Sequence, residues 1–375
     1  MSPKIKVLFI TGTRADFGKL TPFIAATVKN KNYEPVILIT GMHLEETFGL
    51  TYKEVEKRFN CKIILERNFV GTVSSIQSFS NTTKIISKIL DESKIEIIVV
   101  HGDRPEALAG AISGVLLNII TCHIEGGDIS GTVDESLRHA ITKLSHIHFP
   151  ISEIAARRLF QMGEKKNSVF ISGSHLSNLM SVNCLPSFES VKERYEIPWD
   201  NFYISILHPV TTELKIMPFW VDEYFSALEA LDDNFLILYP NSDLGHEIII
   251  KRIKKIRSSE KFKILPSMRH EAYLRVLHES SGIIGNSSSA IHEAPILGIP
   301  AVDYGSRQKG RSNYKNLILS ASCHGEDLIE KINKLKEIKI NKSVDLTNNI
   351  NPFDVFSDFL ENKRFQNISL QKEFQ

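Results

Sequence analysis

Short runs of apolar residues alternate with longer stretches of helical periodicity along most of the chain. In the amino-terminal half the apolar runs lie at residues 5–10, 35–40, 62–65, 95–100, 119–124, 147–149 and 169–172. A continuous apolar run is typical of a strand that is buried on both faces, as strands are in parallel sheets flanked by helices. We therefore predict a doubly wound sheet of about seven strands in this half.

The carboxy-terminal half repeats this alternation. Predicted strands lie at residues 202–207, 235–239, 262–265 and 282–285, and predicted helices lie near 219–231, 246–256 and 269–279. The polar, proline-containing stretch 183–200 suits a connection between domains. We predict an α/β protein of two Rossmann-like domains, 1–173 and 174–350, that face one cleft. A tail with helical spacing, 351–372, is expected to pack back on the first domain.

Acidic residues follow two neighbouring predicted strands of the first half. Asp103 comes after the strand at 95–100, and Glu125 comes after the strand at 119–124. Consecutive parallel strands of a βαβ unit end at the same edge of a sheet, where open α/β sheets bind ligands. Asp134 lies beyond several glycines and is predicted to fold back to this edge. An Asp after a strand is often only a helix cap, but the repeated pattern favours a functional site.

Composition excludes several classes of protein. Lys plus Arg number 45 and Asp plus Glu number 44, and the formal net charge of +1 gives no general attraction to nucleic acid or anionic membranes. The four cysteines are far apart, which argues against a disulfide framework and a thiolate zinc site. No secretory signal and no apolar run of transmembrane length is recognisable, so we expect a cytoplasmic protein.

The best signal for an anion site lies in the second half, at residues 285–293. Ser287 and Ser288 stand in a turn that opens a helix, where hydroxyls and unpaired N–H groups attract negative charge. Arg307 follows the next strand and adds a cation, and Glu293 is a candidate acceptor for ribose hydroxyls. These residues predict a site for a nucleoside diphosphate, with a serine-rich helix cap as the simpler alternative.

Other candidate motifs are weaker. The spacing from Gly12 to Lys19 does not fit a phosphate-binding P-loop, and no dinucleotide fingerprint is found. His123 and Glu125 form an H-x-E without the cysteine pair of zinc deaminases. His208 ends a predicted strand in HPVTTE, and both a functional and a structural role stay open for it.

Two Rossmann-like halves with a diphosphate site in one and acidic residues in the other describe a GT-B architecture. Six motifs then resemble, in order, those of the hydrolysing UDP-N-acetylglucosamine 2-epimerases of bacterial sialic acid synthesis. The resemblance covers about residues 5–311. The sequence also resembles the epimerase half of the bifunctional animal epimerase/kinase. The motifs are TGTRADFGKL, TGMH, VVHGDRPEALAGA, CHIEGGDISGTVDESLRHAITKLSHIH, HPVTTE and GNSSSAIHEAPILGIP with GSRQKGR.

The resemblance implies a set of site residues. Asp103, Glu125 and Asp134 are expected to be the catalytic acids and bases, and His208 is expected to assist departure of UDP. The remaining expected contacts to the UDP-sugar are Arg14, Lys19, His43, Arg104, Asn241, Asp243, Ser287, Ser288, Glu293 and Arg307. No redox cofactor and no metal is implied, and a homodimer or homotetramer is expected.

The implied reaction removes UDP from UDP-N-acetylglucosamine through 2-acetamidoglucal and hydrates that intermediate with inversion at C2. Several alternatives stay open at this point. The sugar is either N-acetylglucosamine or the N,N′-diacetylbacillosamine of legionaminic acid synthesis. A non-hydrolysing epimerase, a GT-B glycosyltransferase and a nucleotide-sugar-binding regulator are the competing functions, although the strand-end carboxylates argue against the regulator.

Overall fold

The computed structural model describes residues 3–68, 74–130, 133–174, 185–308, 317–340 and 350–373. Their contacts divide the chain into two compact units. The first is Met1–Ile129 with Asp134–Asn178 and Asn348–Gln375, and the second is Ser130–Val133 with Leu179–Thr347. Within these described ranges, each unit has one six-stranded parallel sheet.

The described strands are β1 Ile5–Thr11, β2 Tyr33–Ile39, β3 Lys62–Leu65, β4 Ile95–His101, β5 Ile120–Ile124, β6 Ile147–Phe149, β7 Tyr203–Ile206, β8 Phe235–Leu238, β9 Phe262–Leu265, β10 Gly282–Gly285, β11 Ala301–Tyr304 and β12 Ile318–Ala321. The described α-helices are α1 Arg14–Lys29, α2 Tyr52–Arg58, α3 Ser75–Glu92, α4 Pro105–Leu116, α5 Val133–Leu144, α6 Glu153–Gln161, α7 Phe188–Tyr195, α8 Met217–Ala230, α9 His246–Ile256, α10 His270–Glu279, α11 Glu293–Ile296, α12 Gly325–Leu335 and α13 Pro352–Glu361. Short 3₁₀ helices lie at Gly41–Leu44, Glu46–Phe48, Lys166–Ser168, Ser288–Ala290 and Arg364–Asn367.

The first sheet has the strand order β3-β2-β1-β4-β5-β6. Its central strands are buried on both faces because helices cover both sides, which explains their continuous apolar sequences. The order reverses direction between β1 and β4, and the carboxyl edge at such a reversal is where open α/β sheets usually bind ligands. β4 and β5 pair in register up to His101 and Ile124, and their following residues therefore start from the same level.

The prediction of about seven strands is wrong by one for this sheet. Val169 makes a single bridge to His148, and Phe170 and Ser172 donate N–H groups to the carbonyls of His148 and Pro150. A regular parallel ladder would next need an N–H from Pro150, which proline lacks. The segment at 169–172 therefore lies along the edge without becoming a strand.

The second sheet has the strand order β12-β11-β10-β7-β8-β9. The predicted helices near 219–231, 246–256 and 269–279 correspond to α8, α9 and α10 within two residues. The strand β12 was not predicted, because Ser320 interrupts its short apolar run and the strand is only partly buried. The doubly wound order places the turns after β7 and β10 at one edge, where strand order reverses.

The carboxy-terminal helix α13 packs within the first unit. Phe356 and Phe359 are fully buried, and their rings contact Phe23 and Phe149 at centroid distances of 5.2 to 5.3 Å. The Tyr33 hydroxyl donates to the Leu360 carbonyl at 2.7 Å. The tail beyond α13 is held at Lys372, whose Nζ lies 2.7 Å from the buried Glu164 carboxylate. Within the described ranges, no helix is both long enough and apolar enough to cross a bilayer.

We expect Phe359→Ala to lower the free energy of unfolding by about 3–5 kcal/mol, since it leaves a cavity among buried aromatic rings. The measurement is urea unfolding followed by circular dichroism. Leu370→Ala is the control, because that side chain is 46% exposed, and its effect should be below about 0.5 kcal/mol. Equal stability of the wild type and Phe359→Ala would show that α13 contributes nothing to the core.

Candidate active site

Asp103 lies at the carboxyl edge of the first sheet, two residues after β4. Gly102 before it has a φ of +72°, a left-handed conformation that glycine adopts without strain. The Asp103 carboxylate makes a close ion pair with Nη2 of Arg138, a residue of α5 whose side chain is only 4% exposed. Arg138 therefore holds the carboxylate end of the Asp103 side chain.

Asp134 lies in the first turn of α5, four residues before Arg138. Residues four apart lie on one face of a helix, so Asp134 and Arg138 share the face that approaches Asp103. Burial works to lower the pKa of Arg138, but the carboxylates of Asp103, Asp128 and Asp134 raise it overall. Two of the predicted catalytic acids therefore surround one permanently charged guanidinium.

Glu125 follows β5 and has a φ of +63°, which is uncommon for a residue with a side chain. This backbone turn directs its carboxylate to Lys19 of α1, with 2.8 Å between Oε2 and Nζ. His101 Nε2 lies 3.1 Å from the same oxygen, without the alignment of a hydrogen bond. Lys19, predicted as a contact to the UDP-sugar, thus pairs with a predicted catalytic acid.

His123 lies inside β5 and is fully buried. Its Nε2 donates to the Gly102 carbonyl at 2.8 Å, which fixes the proton on Nε2, and its Nδ1 accepts from the Thr142 hydroxyl at 3.1 Å. Burial lowers the pKa of His123 to about 3. The neutral imidazole therefore ties the turn before Asp103 to α5.

The turn after β1 is organised by a helix cap. Asp16 accepts hydrogen bonds from the backbone N–H groups of Gly12 and Thr13, both at 3.0 Å, and the Thr13 hydroxyl caps α1 in return. Arg14 donates through Nε and Nη2 to one oxygen of Glu54, at 2.8 and 2.6 Å. The sequence Thr-Arg-Ala-Asp therefore starts a helix and orients an arginine at the carboxyl edge.

His43 is fully buried beside this turn. Its ring nitrogens contact the hydroxyls of Thr11 and Thr51 at 2.9 and 2.6 Å. Burial, the largest effect, lowers the pKa of His43 to about 4 although the Asp16 carboxylate opposes it. The side chain joins β1 to the start of α2, and its expected contact with substrate stays a prediction.

Glu106 is a buried carboxylate that the sequence did not single out. It is 6% exposed on α4, and its Oε1 accepts from Asn68 Nδ2 at 3.1 Å and from the Ser78 hydroxyl at 3.3 Å. Its Oε2 lies 3.7 Å from Nε of Arg104, a predicted substrate contact. Arg104 therefore sits at the start of α4 beside an acid that limits its movement.

The serine turn of the second unit follows β10. Ser287 caps the 3₁₀ helix Ser288–Ala290, with the Ser289 N–H donating to its hydroxyl at 3.3 Å. The helix that follows, α11, has four residues, so its dipole adds little. Glu293 at its start is 6% exposed, and its Oε2 has no hydrogen-bond partner among the described residues. The serine hydroxyls and the Glu293 carboxylate are therefore the polar side-chain groups that this turn offers to a ligand.

Asn286 joins the turns after β7, β10 and β11. Its side chain accepts from the His208 N–H at 2.6 Å and donates to the His208 carbonyl at 2.9 Å. Its own carbonyl accepts from Arg307 Nη1 at 3.1 Å and from Gln308 Nε2 at 2.8 Å. One amide residue thus holds the predicted His208 and Arg307 at the same edge.

The orientation of the His208 ring follows from its partner. The backbone N–H of Asn241 donates to Nδ1 at 3.0 Å, so a neutral His208 carries its proton on Nε2. Asn241 in turn donates through Nδ2 to Asp243 at 2.5 Å. His208 is therefore presented as a hydrogen-bond donor at the carboxyl edge of the second sheet, and Asn241 and Asp243 form the loop that orients it.

Sequence reasoning placed Asn286 in the serine turn but missed its anchoring role, and it did not single out Arg138 or Glu106. Arg138 had a usable signal, since it stands four residues after Asp134 in a helical pattern and is the arginine of that turn. Asn286 and Glu106 had none, because their partners are 78 and 38 residues away in the chain. Among the residues with described positions, no group of three His, Cys, Asp or Glu side chains is arranged to hold a metal ion.

Comparison with known proteins decides the family. The family model described as UDP-N-acetylglucosamine 2-epimerase matches residues 25–355. The chain belongs to the UDP-N-acetylglucosamine 2-epimerase family. A protein of Neisseria meningitidis serogroup B named UDP-N-acetylglucosamine 2-epimerase is 40% identical over 371 residues, which is 98% of each chain. The resemblance to UDP-N-acetylglucosamine 2-epimerases inferred from the six motifs is thereby confirmed.

Other relatives in the UDP-N-acetylglucosamine 2-epimerase family differ in name and distance. The GDP/UDP-N,N′-diacetylbacillosamine 2-epimerase (hydrolyzing) of Campylobacter jejuni is 31% identical and covers 90% of both chains. The crystal structure of the Methanocaldococcus jannaschii UDP-GlcNAc 2-epimerase in complex with UDP-GlcNAc and UDP has a TM-score of 0.78 at 20% identity. It covers 96% of this chain and 100% of that one. The chain is thus an enzyme of this family with its GT-B-like fold of two Rossmann-like domains.

We expect His43 and His123 to stay neutral in the folded protein at pH 5, because burial lowers their pKa values to about 4 and about 3. Side-chain ¹⁵N NMR should show a neutral His123 with its proton on Nε2. In urea both should titrate near about 6.5. Between about pH 4 and pH 6.5 the unfolded chain then binds more protons than the folded protein. These histidines therefore make the free energy of unfolding rise with pH over this range. Titration of either near 6.5 in the folded protein would contradict this assignment.

Proposed function

We propose that this chain is a hydrolysing UDP-N-acetylglucosamine 2-epimerase, which converts UDP-N-acetylglucosamine and water into N-acetylmannosamine and UDP and so supplies sialic acid synthesis. The observation that carries the proposal is the group of acids at the carboxyl ends of β4 and β5 with Asp134 of α5, each close to a cation. The family membership and the hydrolysing name of the Campylobacter jejuni relative support it. A cytoplasmic location and a homodimer or homotetramer belong to the same proposal.

The chemistry explains why several carboxylates are needed. The proton at C2 of an N-acetylhexosamine is not acidic, because no carbonyl adjoins that carbon. Its removal is therefore coupled to breaking of the C1–O bond to UDP, through a transition state with positive charge at C1. One carboxylate takes the C2 proton, the electron pair of the C2–H bond forms the C1=C2 double bond, and UDP leaves with the C1–O electrons. The product is 2-acetamidoglucal.

Charge grows on the diphosphate as the C1–O bond breaks. In the proposal, the Nε2–H of His208, the guanidinium of Arg307 and the hydroxyls of the serine turn meet that charge. These groups are already fixed by Asn286 and Asn241, so little reorganisation accompanies the reaction. Glu293, with a buried oxygen that lacks a protein partner in the described chain, accepts from the ribose hydroxyls.

Hydration completes the reaction. Water adds its oxygen to C1, and a proton is delivered to C2 on the face opposite to the one it left, which inverts that centre. Removal and delivery on two faces require two acid/base groups, and a further carboxylate can act as the general base that takes a proton from the water as it adds to C1. Oxidation state is unchanged overall, since one proton leaves C2 and another returns while UDP is replaced by hydroxide.

The second candidate is hydrolysing epimerisation of UDP-N,N′-diacetylbacillosamine, which the name of the relative with 31% identity favours. The two candidates use the same chemistry at C1 and C2. They differ only at C4 and C6 of the sugar, where the second substrate has an acetamido group and a methyl group. Measuring the rate of UDP release from each of the two UDP-sugars distinguishes the two candidate functions.

Reaction in deuterated water should give free UDP and N-acetylmannosamine that carries deuterium at C2, because the proton returned to C2 comes from an acid that exchanges with solvent. Proton and ³¹P NMR measure both products in one tube. UDP-N-acetylmannosamine without free UDP would identify a non-hydrolysing epimerase. Product without deuterium at C2 would exclude deprotonation at that carbon.

We expect Asp103→Asn, Glu125→Gln and Asp134→Asn each to lower kcat by at least roughly 100-fold, the usual effect of removing an acid/base group. UDP affinity, measured by calorimetry, should change little, because the proposed diphosphate contacts lie in the second unit. Glu153→Gln is the control, since this acid is 74% exposed on α6 and should leave kcat unchanged. A variant with wild-type kcat would remove that residue from the mechanism.

A further inference from the structure

Arg138 is a buried cation for which the proposed mechanism has no role. It lies on α5, and 4% of its side chain is exposed. Buried charges are costly unless they are paired, and a lone arginine among apolar residues would be rare. Its surroundings therefore indicate what it does.

The guanidinium contacts the chain segments that bear the three proposed acids. Nη2 pairs closely with the Asp103 carboxylate in the turn after β4. Nη1 donates to the Asp128 carbonyl at 3.2 Å, in the loop that follows Glu125. Asp134 lies one helical turn before Arg138 on α5 itself. A single side chain therefore connects the turn after β4, the loop after β5 and the start of α5.

The backbone at Asp103 has a second, independent attachment. His123 donates to the Gly102 carbonyl at 2.8 Å and accepts from Thr142 of α5 at 3.1 Å. The turn is therefore tied to β5 and α5 without help from Arg138. What Arg138 adds is control of the Asp103 carboxylate: its planar fork selects one orientation, and its charge favours the ionised form.

We propose that Arg138 is a positioning residue for the reaction, which holds the Asp103 carboxylate ionised and at a fixed separation from Asp134. This inference rests on the proposed function, because it assigns Arg138 to the alignment of acids that the reaction needs. Misplacement of a reacting group by about 1 Å can cost roughly 100-fold in rate. Arg138 acts on the reaction through Asp103.

The test compares Arg138→Gln and Arg138→Lys with the wild type, using release of UDP from UDP-N-acetylglucosamine. In Arg138→Gln we expect kcat to fall roughly 100-fold with KM within about threefold, since alignment is lost while the second unit is untouched. The acid limb of the kcat profile should move to higher pH, because a carboxylate without its cation protonates more easily. Arg138→Lys should keep the acid limb in place but lose roughly 10-fold in kcat, since lysine supplies the charge without the fork.

Arg158 of α6 offers a matched control. It reaches the same loop from another side, with Nη1 donating to the Gly127 carbonyl at 3.3 Å and lying 3.8 Å from Asp128. Both of these contacts are to the loop and neither is to Asp103, so Arg158→Gln should keep the kcat and pH profile of the wild type. Circular dichroism and thermal unfolding establish that each variant is folded.

Each result decides the role of Arg138. The positioning role is overturned if Arg138→Gln is folded and its kcat is within threefold of the wild type, or if the acid limb of its kcat profile does not move. It is also overturned if Arg158→Gln loses as much kcat as Arg138→Gln. If Arg138→Gln does not fold, wild-type kcat in Arg138→Lys overturns it instead. A wild type that releases no UDP removes the proposed function and this inference together, whereas active wild type with active Arg138→Gln removes this inference alone.

Discussion

The parallel pairing of β4 with β5 is the constraint on which the first unit depends. The two strands are in register to their last residues, His101 and Ile124, and their following turns therefore begin at one level of the sheet. Parallel strands need a crossover, and α4 provides it on one face. A shift of one residue in this register would reverse the faces of the buried side chains and separate Asp103 from Glu125 at the same time. The register of β4 with β5 thus determines both the packing of the core and the placement of the acids.

Acids gathered at one edge repel each other unless each has a partner. The first unit solves this by giving the acids different partners: Arg138 pairs with Asp103 and interacts electrostatically with Asp134, whereas Lys19 and His101 lie beside Glu125. An arginine charge is permanent, but lysine and histidine can exchange protons. The environments of Asp103 and Glu125 are therefore chemically distinct although both residues are strand-end carboxylates. Such a difference is what a reaction with separate proton removal and delivery requires.

The second unit orients its polar groups by a different means. There Asn286 ties three turns together through its side-chain amide and its backbone carbonyl. The bonds that Asn286 makes with the His208 backbone and with Gln308 are neutral, so they fix geometry without adding charge to the edge. His208 and Arg307 remain the groups that can meet an anion, and Glu293 keeps one buried oxygen without a partner in the described chain. In the second unit, the residue that holds the turns together thus differs from the residues that can bind a ligand.

The sequence alone determined the two α/β halves, the parallel sheets and the edge at which Asp103 and Glu125 lie, because these follow from local apolar periodicity and from strand ends. Six motifs in order also determined the family. Only the tertiary structure decided which side chains share partners: Lys19 pairs with Glu125 across 106 residues, and Asn286 holds His208 across 78. The segment at 169–172 looked like a strand yet lacks a regular ladder, because Pro150 on the neighbouring edge offers no N–H. Local patterns predict an element, whereas pairing between distant residues depends on the packing of the whole unit.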